Sequence, residues 1–242
     1  GTTLMIDFHT HILPEIDDGS ASAAESADMA KMLVGQGAEG AVLTPHFYAY
    51  RNDLESFLEN RSAAVNVLKE RLQRENIRLK LYLGGEILYF DELWRIDKLE
   101  SLCISGTDCI MIEMPFSPWS DSVVEGIERI ANRRFTPILA HVDRYLRYRG
   151  VRERLAELAG CGALMQINAD CFTKLMMRRQ GIALAKKGLF NIFGSDCHNT
   201  GDRAPNLDSA RAYIEKHLGK NELDKVTVRS KRILENAEII YR

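Results

Sequence analysis

The sequence predicts one parallel β/α domain of the barrel type. Strand-length apolar runs alternate with longer amphipathic stretches through seven units, the pattern that builds a parallel sheet with crossover helices. No long linker or low-complexity segment interrupts them. The 242 residues could bury a core as one barrel or as two small domains, and the unbroken alternation selects the first.

The first strand is expected over residues 4–8. Ser22 with Glu25 makes a capping box that opens a helix over 23–36, terminated by Gly37. A second strand over 40–43 runs into Thr44-Pro45-His46, and Asn52 and Asp53 start a long charged helix that ends near Glu75. The third strand is expected over 78–86, followed by a short helix or irregular turn over 91–99. The fourth strand, 109–113, leads through a Pro- and Ser-rich loop into a helix over 122–133. Strands over 137–140, 163–168 and 189–194 alternate with helices over 151–159 and 173–187. Two or three helices close the chain, near 207–218, 222–228 and 230–236.

Composition excludes several function classes. A formal charge of -2 gives no basic excess, so nucleic acid is not an expected partner. No run of 18 apolar residues occurs and the N-terminus lacks a signal-peptide pattern, so no membrane insertion is expected and a cytoplasmic protein is the natural reading. The five cysteines are odd in number and show no Cys-x-x-Cys spacing, which argues against a disulfide framework or a zinc ribbon.

Parallel barrels carry their chemistry at the C-terminal ends of the strands, and there the sequence becomes specific. His9 and His11 follow the first strand and His46 the second. Glu86, Glu113 and His141 end the third, fourth and fifth, and Asp196 and His198 follow the seventh. Five of the six histidines thus fall at strand ends, leaving His217 on a charged late helix as a surface residue. Neutral imidazole with carboxylate is the ligand set of zinc, manganese and iron(II). With Asp18 from the first loop, the candidates number nine. They are too many for one ion and suit two or three that share a bridging carboxylate and keep positions open for water and substrate. Asp17 is the alternative to Asp18, because Asp-Asp-Gly is also an ordinary turn signal.

These motifs, in order His9-Thr10-His11, Asp17-Asp18-Gly19, Pro45-His46, Gly85-Glu86, Ile112-Glu113, Ala140-His141-Val142-Asp143-Arg144-Tyr145 and Ser195-Asp196-Cys197-His198-Asn199, resemble the PHP (polymerase and histidinol phosphatase) family. More narrowly, they are similar to the bacterial capsule and exopolysaccharide protein-tyrosine phosphatases. The resemblance implies a distorted (β/α)7 TIM-like barrel in a single domain, with a trinuclear divalent-metal site. Manganese is the expected metal, with iron or zinc as alternatives. The implied substrate is the phosphotyrosine-bearing segment of a bacterial tyrosine autokinase. By matching motif, His9, His11, Glu86 and Asp196 would hold one ion, Glu86 would bridge to a second held by Glu113 and His141, and Asp18, His46 and His198 would hold the third. Arg144 and Arg203 match the family's phosphate-binding arginines.

The implied chemistry is in-line attack by a water activated between divalent cations, while Arg144 and Arg203 neutralise the phosphoryl oxygens. A phenolate leaving group, with a pKa of about 10, needs only modest protonation, from Asp143 or a metal-bound water. Phe47, Tyr48, Tyr50, Phe116, Trp119, Tyr145 and Tyr148 all follow strand ends and could form a shallow mouth for a tyrosyl ring. Two other readings compete. Cys197 and Arg203 fit the Cys-x5-Arg spacing of thiol-based tyrosine phosphatases, although no helix is expected to start at Arg203. A small-molecule phosphatase such as histidinol-phosphate phosphatase is the alternative within the same family.

Overall fold

The computed structural model describes residues 5–242. Leu4, the first residue of the expected initial strand, lies outside the described residues. Two curved sheets carry the fold. In one, β1 (Met5–Thr10), β2 (Ala38–Leu43) and β4 (Lys80–Leu83) run parallel, and β10 (Ile239–Tyr241) pairs antiparallel with β4. In the other, β3 (His46–Phe47), β5 (Glu86–Leu88), β6 (Cys109–Glu113), β7 (Thr136–Leu139), β8 (Leu164–Asn168) and β9 (Ile192–Gly194) are all parallel. The free edges meet just past β1 and β9. There Thr10 bridges to Cys197, the His11 N–H donates to the Cys197 carbonyl at 2.9 Å, and the Asp196 N–H donates to the His9 carbonyl at 2.8 Å. The result is a mixed α/β fold whose parallel sheet curls in the manner of a distorted TIM barrel.

Side-chain alternation explains the two apolar layers. Ile6, Phe8, Val42, Met111, Ile138, Ala140 and Ile192 fill the inside of the curl. Leu43, Leu81, Ile110, Ile112, Leu139 and Met165 face outward onto the helices. Those helices are α1 (Ala23–Gly35), α2 (Leu54–Arg74), α3 (Asp121–Asn132), α4 (Val151–Gly160), α5 (Asp170–Thr173), α6 (Arg178–Lys186), α7 (Leu207–Leu218) and α8 (Lys220–Ile233). Ser22 caps α1 by accepting from the Glu25 N–H at 3.1 Å, and Asp53 caps α2 by accepting from the Ser56 N–H at 2.8 Å.

The structure departs from the sequence expectation in five places. His46 and Phe47, expected past the end of the second strand, form a short strand of their own, β3, in the other sheet. The expected third strand is two, β4 and β5, broken at Gly84-Gly85, where the backbone passes from one sheet to the other. The Gly84 N–H bonds the Leu43 carbonyl beside β2, and the Glu86 N–H bonds the Pro45 carbonyl beside β3, both at 2.9 Å. The helix expected over 173–187 shrinks to α6, preceded by the single turn α5. The two C-terminal helices expected around Ser230 are one, α8, because Ser230 is buried mid-helix and no glycine or proline interrupts the segment. Finally, β10 was not anticipated. It covers the edge of β4, where the Tyr241 hydroxyl donates to the Ile77 carbonyl at 2.9 Å.

Candidate metal centre

Parallel strands put their C-terminal ends on one face, and that topology collects all nine candidate ligands. Three groups form there, and the ligand atoms within each lie within 4.8 Å of one another: His9, His11, Glu86 and Asp196; His11, Asp18, His46 and His198; and His46, Glu86 and Glu113. In the first, Glu86 Oε2 stands 3.0 Å from His9 Nε2 and 3.1 Å from His11 Nε2, and Asp196 Oδ1 stands 3.3 and 3.2 Å from the same atoms. His141 Nε2 approaches Glu86 Oε1 at 2.8 Å and Glu113 Oε2 at 3.3 Å. Asp18 Oδ1 lies 3.4 Å from both His46 Nε2 and His198 Nε2. Glu86, His11 and His46, each shared by two groups, therefore join them into one cluster. Asp18 is the exposed member at 62%, whereas Glu86 is fully buried.

The donor set fits divalent cations on two physical grounds. First, the outer nitrogens of two rings are occupied: His9 Nδ1 bonds Gln166 Oε1 at 2.9 Å and His11 Nδ1 bonds Asp17 Oδ2 at 2.8 Å. Their Nε2 atoms then face each other at 3.2 Å amid carboxylate oxygens, an arrangement of converging lone pairs that needs a cation or protons between them. Second, His46 Nδ1 and His198 Nε2 are buried without a hydrogen-bond partner, a costly state that ligation relieves. Titration follows the same logic. Burial works to raise Glu86 and Asp196, but His9 and the surrounding cations outweigh it and hold both carboxyls well below their usual range. Burial likewise opposes charge on His11 and His141, yet Asp17, Asp196 and Glu86 push His11 up, and Glu113 and Glu86 push His141 up to about 9. In the metal-free protein His11 and His141 therefore favour the protonated form.

Residues 5–235 match the family described as capsular polysaccharide synthesis, CpsB/CapC. The chain belongs to this family. The tyrosine-protein phosphatase YwqE of Bacillus subtilis (strain 168) is 30% identical over 244 residues, covering 98% of this chain and 92% of that one. The tyrosine-protein phosphatase CpsB of Streptococcus pneumoniae is 27% identical over 243 residues, covering 94% and 97%. Among solved structures, crystal structures of YwqE and CpsB, described as unique metal-dependent tyrosine phosphatases, superpose with a TM-score of 0.86 at 28% identity, covering 98% of this chain and 97% of that chain. A β-aspartyl dipeptidase of Fervidobacterium islandicum AW-1, at 14% identity and a TM-score of 0.55, shares the fold alone over 98% of this chain and 77% of its own.

Around the cluster of this CpsB/CapC-family chain stands a set of polar residues that the motif reading passed over. Gln166 Oε1 also accepts from the His141 N–H at 2.7 Å, and Asn168 Nδ2 donates to Asp196 Oδ2 at 2.9 Å. Both lie on β8, the sixth of the seven strands expected from the sequence and the one given no ligand there. Two amides two residues apart in an otherwise apolar strand are the signal that could have found them. Asp7 is buried between β1 and β9, accepting from the Ser195 N–H and hydroxyl at 2.8 and 2.5 Å, and burial pushes its pKa up to about 6. Asp17 accepts from the His46 and Gly19 N–H groups besides holding the outer nitrogen of His11, so its carboxylate oxygens are already engaged and it is not a member of any of the three groups. His141 and Asp196 have positive φ, 33° and 56°, backbone strain of the kind that persists where packing fixes a functional side chain.

Arg144 Nη2 donates to Asp196 Oδ2 at 2.7 Å, and Arg203 Nη2 reaches the same oxygen at 3.4 Å while Nη1 stands 3.7 Å from Asp18. Both arginine side chains are about one-third exposed, at 31% and 34%. Asp143 instead accepts from the Asn168 N–H at 3.2 Å and is buried, which does not place it at the mouth.

The aromatic mouth is smaller than the sequence suggested. Phe47, Trp119 and Tyr145 are buried. Trp119 donates to the Pro115 carbonyl, the Tyr145 hydroxyl accepts from the Met114 N–H, and Tyr148 packs on the core. These residues anchor loops. Tyr48, stacked on His46 at 5.0 Å, the exposed Tyr50, and Phe116, stacked on His141 at 6.0 Å, remain at the rim. Cys197 is buried in the β1–β9 seam, where burial and Asp7 push its thiol up, and the next helix begins only at Leu207. Neither property suits a cysteinyl nucleophile.

Proposed function

We propose that this chain is a single-domain, cytoplasmic, manganese-dependent protein-tyrosine phosphatase with seven β/α units. Its substrate is a phosphotyrosine-bearing segment of a bacterial tyrosine autokinase that regulates capsule or exopolysaccharide synthesis. The enzyme class, a metal-dependent phosphoric monoester hydrolase, follows from family membership and from the metal-dependent relatives. The observation that carries the finer reading is the joined ligand cluster, open on one side beneath two guanidiniums. Among the described residues no helix is long and apolar enough to cross a membrane.

In this reading His9, His11, Glu86 and Asp196 hold one ion. Glu86, Glu113 and His141 hold a second, and Asp18, His46 and His198 a third. When bound, such ions would supply positive charge to the phosphoryl oxygens and lower the pKa of a bound water. The protein does the positioning. Arg144 and Arg203 donate to the equatorial oxygens as charge spreads over them. Gln166 and Asp17 keep the protons of His9 and His11 on Nδ1, so each Nε2 turns an unprotonated lone pair toward the cluster. Asn168 and the two arginines fix the carboxylate of Asp196.

The test is hydrolysis of a phosphotyrosyl peptide by protein stripped with chelator and then reloaded. Activity should vanish on stripping, return with manganese, and survive Cys197→Ser. Retention after stripping together with loss in Cys197→Ser would restore the thiol mechanism. Turnover of histidinol phosphate but not of phosphopeptide would instead favour the small-molecule alternative.

A further inference from the structure

We propose that Arg51 and the cavity beside the metal cluster form a subsite for an acidic side chain flanking the phosphotyrosine. This inference rests on the phosphatase reading above. The cavity measures about 330 Å³ and is lined by Ile16, Asp18, His46, Tyr48, Arg51 and Asn52, together with Asp17. It shares Asp18 and His46 with the ligand cluster. A peptide whose phosphoryl group sits on the cluster therefore lays a neighbouring residue over this hollow.

Arg51 is the cation at its rim. Its guanidinium lies 5.1 Å from the Tyr48 ring centre and 5.4 Å from that of Tyr50, and Tyr48 is in turn stacked on His46. A tight turn fixes the segment, with the Arg51 and Asn52 N–H groups both donating to the Tyr48 carbonyl, at 2.9 and 3.1 Å. Among the described residues Arg51 makes no ion pair or side-chain hydrogen bond. The two carboxylates lining the cavity are engaged elsewhere, Asp17 with His11 and Asp18 with His46, His198 and Arg203. Stacking on two rings orients the planar fork before any ligand arrives, which lowers the entropy cost of a bidentate contact with a carboxylate. Arg144 and Arg203 reach the cluster from the Asp196 side, so the scissile phosphoryl group does not need Arg51.

Matched phosphotyrosyl peptides with glutamate, glutamine or lysine beside the phosphotyrosine, given to the manganese-loaded full chain, test this. Wild type should prefer the glutamate peptide over the glutamine peptide roughly tenfold in kcat/KM, the scale of one exposed charge-assisted contact, expressed mainly in KM. Arg51→Ala should bring that ratio to about one, and Arg51→Glu should shift the preference to lysine. Equal wild-type rates, or a ratio that survives Arg51→Ala, overturn the subsite. Failure of wild type on every peptide overturns instead the phosphotyrosine reading beneath it.

Discussion

Glu86, His11 and His46 are the residues on which the cluster depends, since each belongs to two ligand groups, but their geometry is set by neighbours that touch no ion. Asp17→Asn should weaken metal binding roughly 10- to 100-fold by loosening the tautomer of His11, and Gln166→Leu should do the same through His9. Competition titration with a chromophoric chelator reads both. Protonation gives a second prediction. His141 and His11 have pKa values raised in the folded, metal-free protein, to about 9 for His141. A raised folded pKa contributes stability that is complete below the unfolded value, about 6.5 for histidine, and is lost as pH rises through the folded one. Chelator-stripped protein should therefore lose thermal stability between about pH 6.5 and 9, whereas the metal-loaded form, with neutral imidazoles, should not. A flat stripped profile over that window would show that these histidines are not protonated in the folded state.

At the scale of elements, the seam between β1 and β9 and the break between β4 and β5 aim the ligands. A Cβ on Gly194 would lie 2.7 Å from His9 Cβ and 2.8 Å from the His9 backbone nitrogen, closer than real side chains come. Gly194→Ala should therefore lower both Tm and metal affinity by pushing His9 off its position. At the break, the Arg61 guanidinium bonds the Gly84 carbonyl at 2.6 Å and the Ser101 carbonyl at 3.1 Å from within the core. Burial alone lowers its pKa, to about 10. Arg61→Met strands two carbonyls at a cost of about 2–4 kcal/mol, visible as a lower denaturation midpoint. Much at this scale could be read in advance. Capping signals at Ser22 and Asp53 start α1 and α2 where local chemistry dictates, because a cap depends on residues within one turn. The break at Gly84-Gly85 and strand β10 could not be read, since both exist only through pairing with segments distant in sequence.

For the whole molecule, the parallel topology is what made the candidate site legible. Once each strand is followed by a crossover, residues at strand ends must share a face, so His9, Glu86, Glu113, His141 and Asp196 could be grouped without any coordinates. Gln166 and Asn168 escaped because amides seldom ligate, and because their part is to orient ligands from a strand that supplies none. The aromatic rim was overestimated for a different reason. Whether Trp119 or Tyr145 points to solvent or to the core depends on the path of a loop, which periodicity does not encode. Buried charges of this density couple metal binding to stability, so bound metal should raise Tm. The most direct measurement is metal content per chain alongside phosphotyrosine turnover, for wild type and Glu86→Gln. Wild type should hold as many ions as there are ligand groups, three, and turn over, and the variant should lose at least one ion and essentially all activity while remaining folded. Wild-type turnover without bound metal, or a fully active Glu86→Gln, would contradict the account.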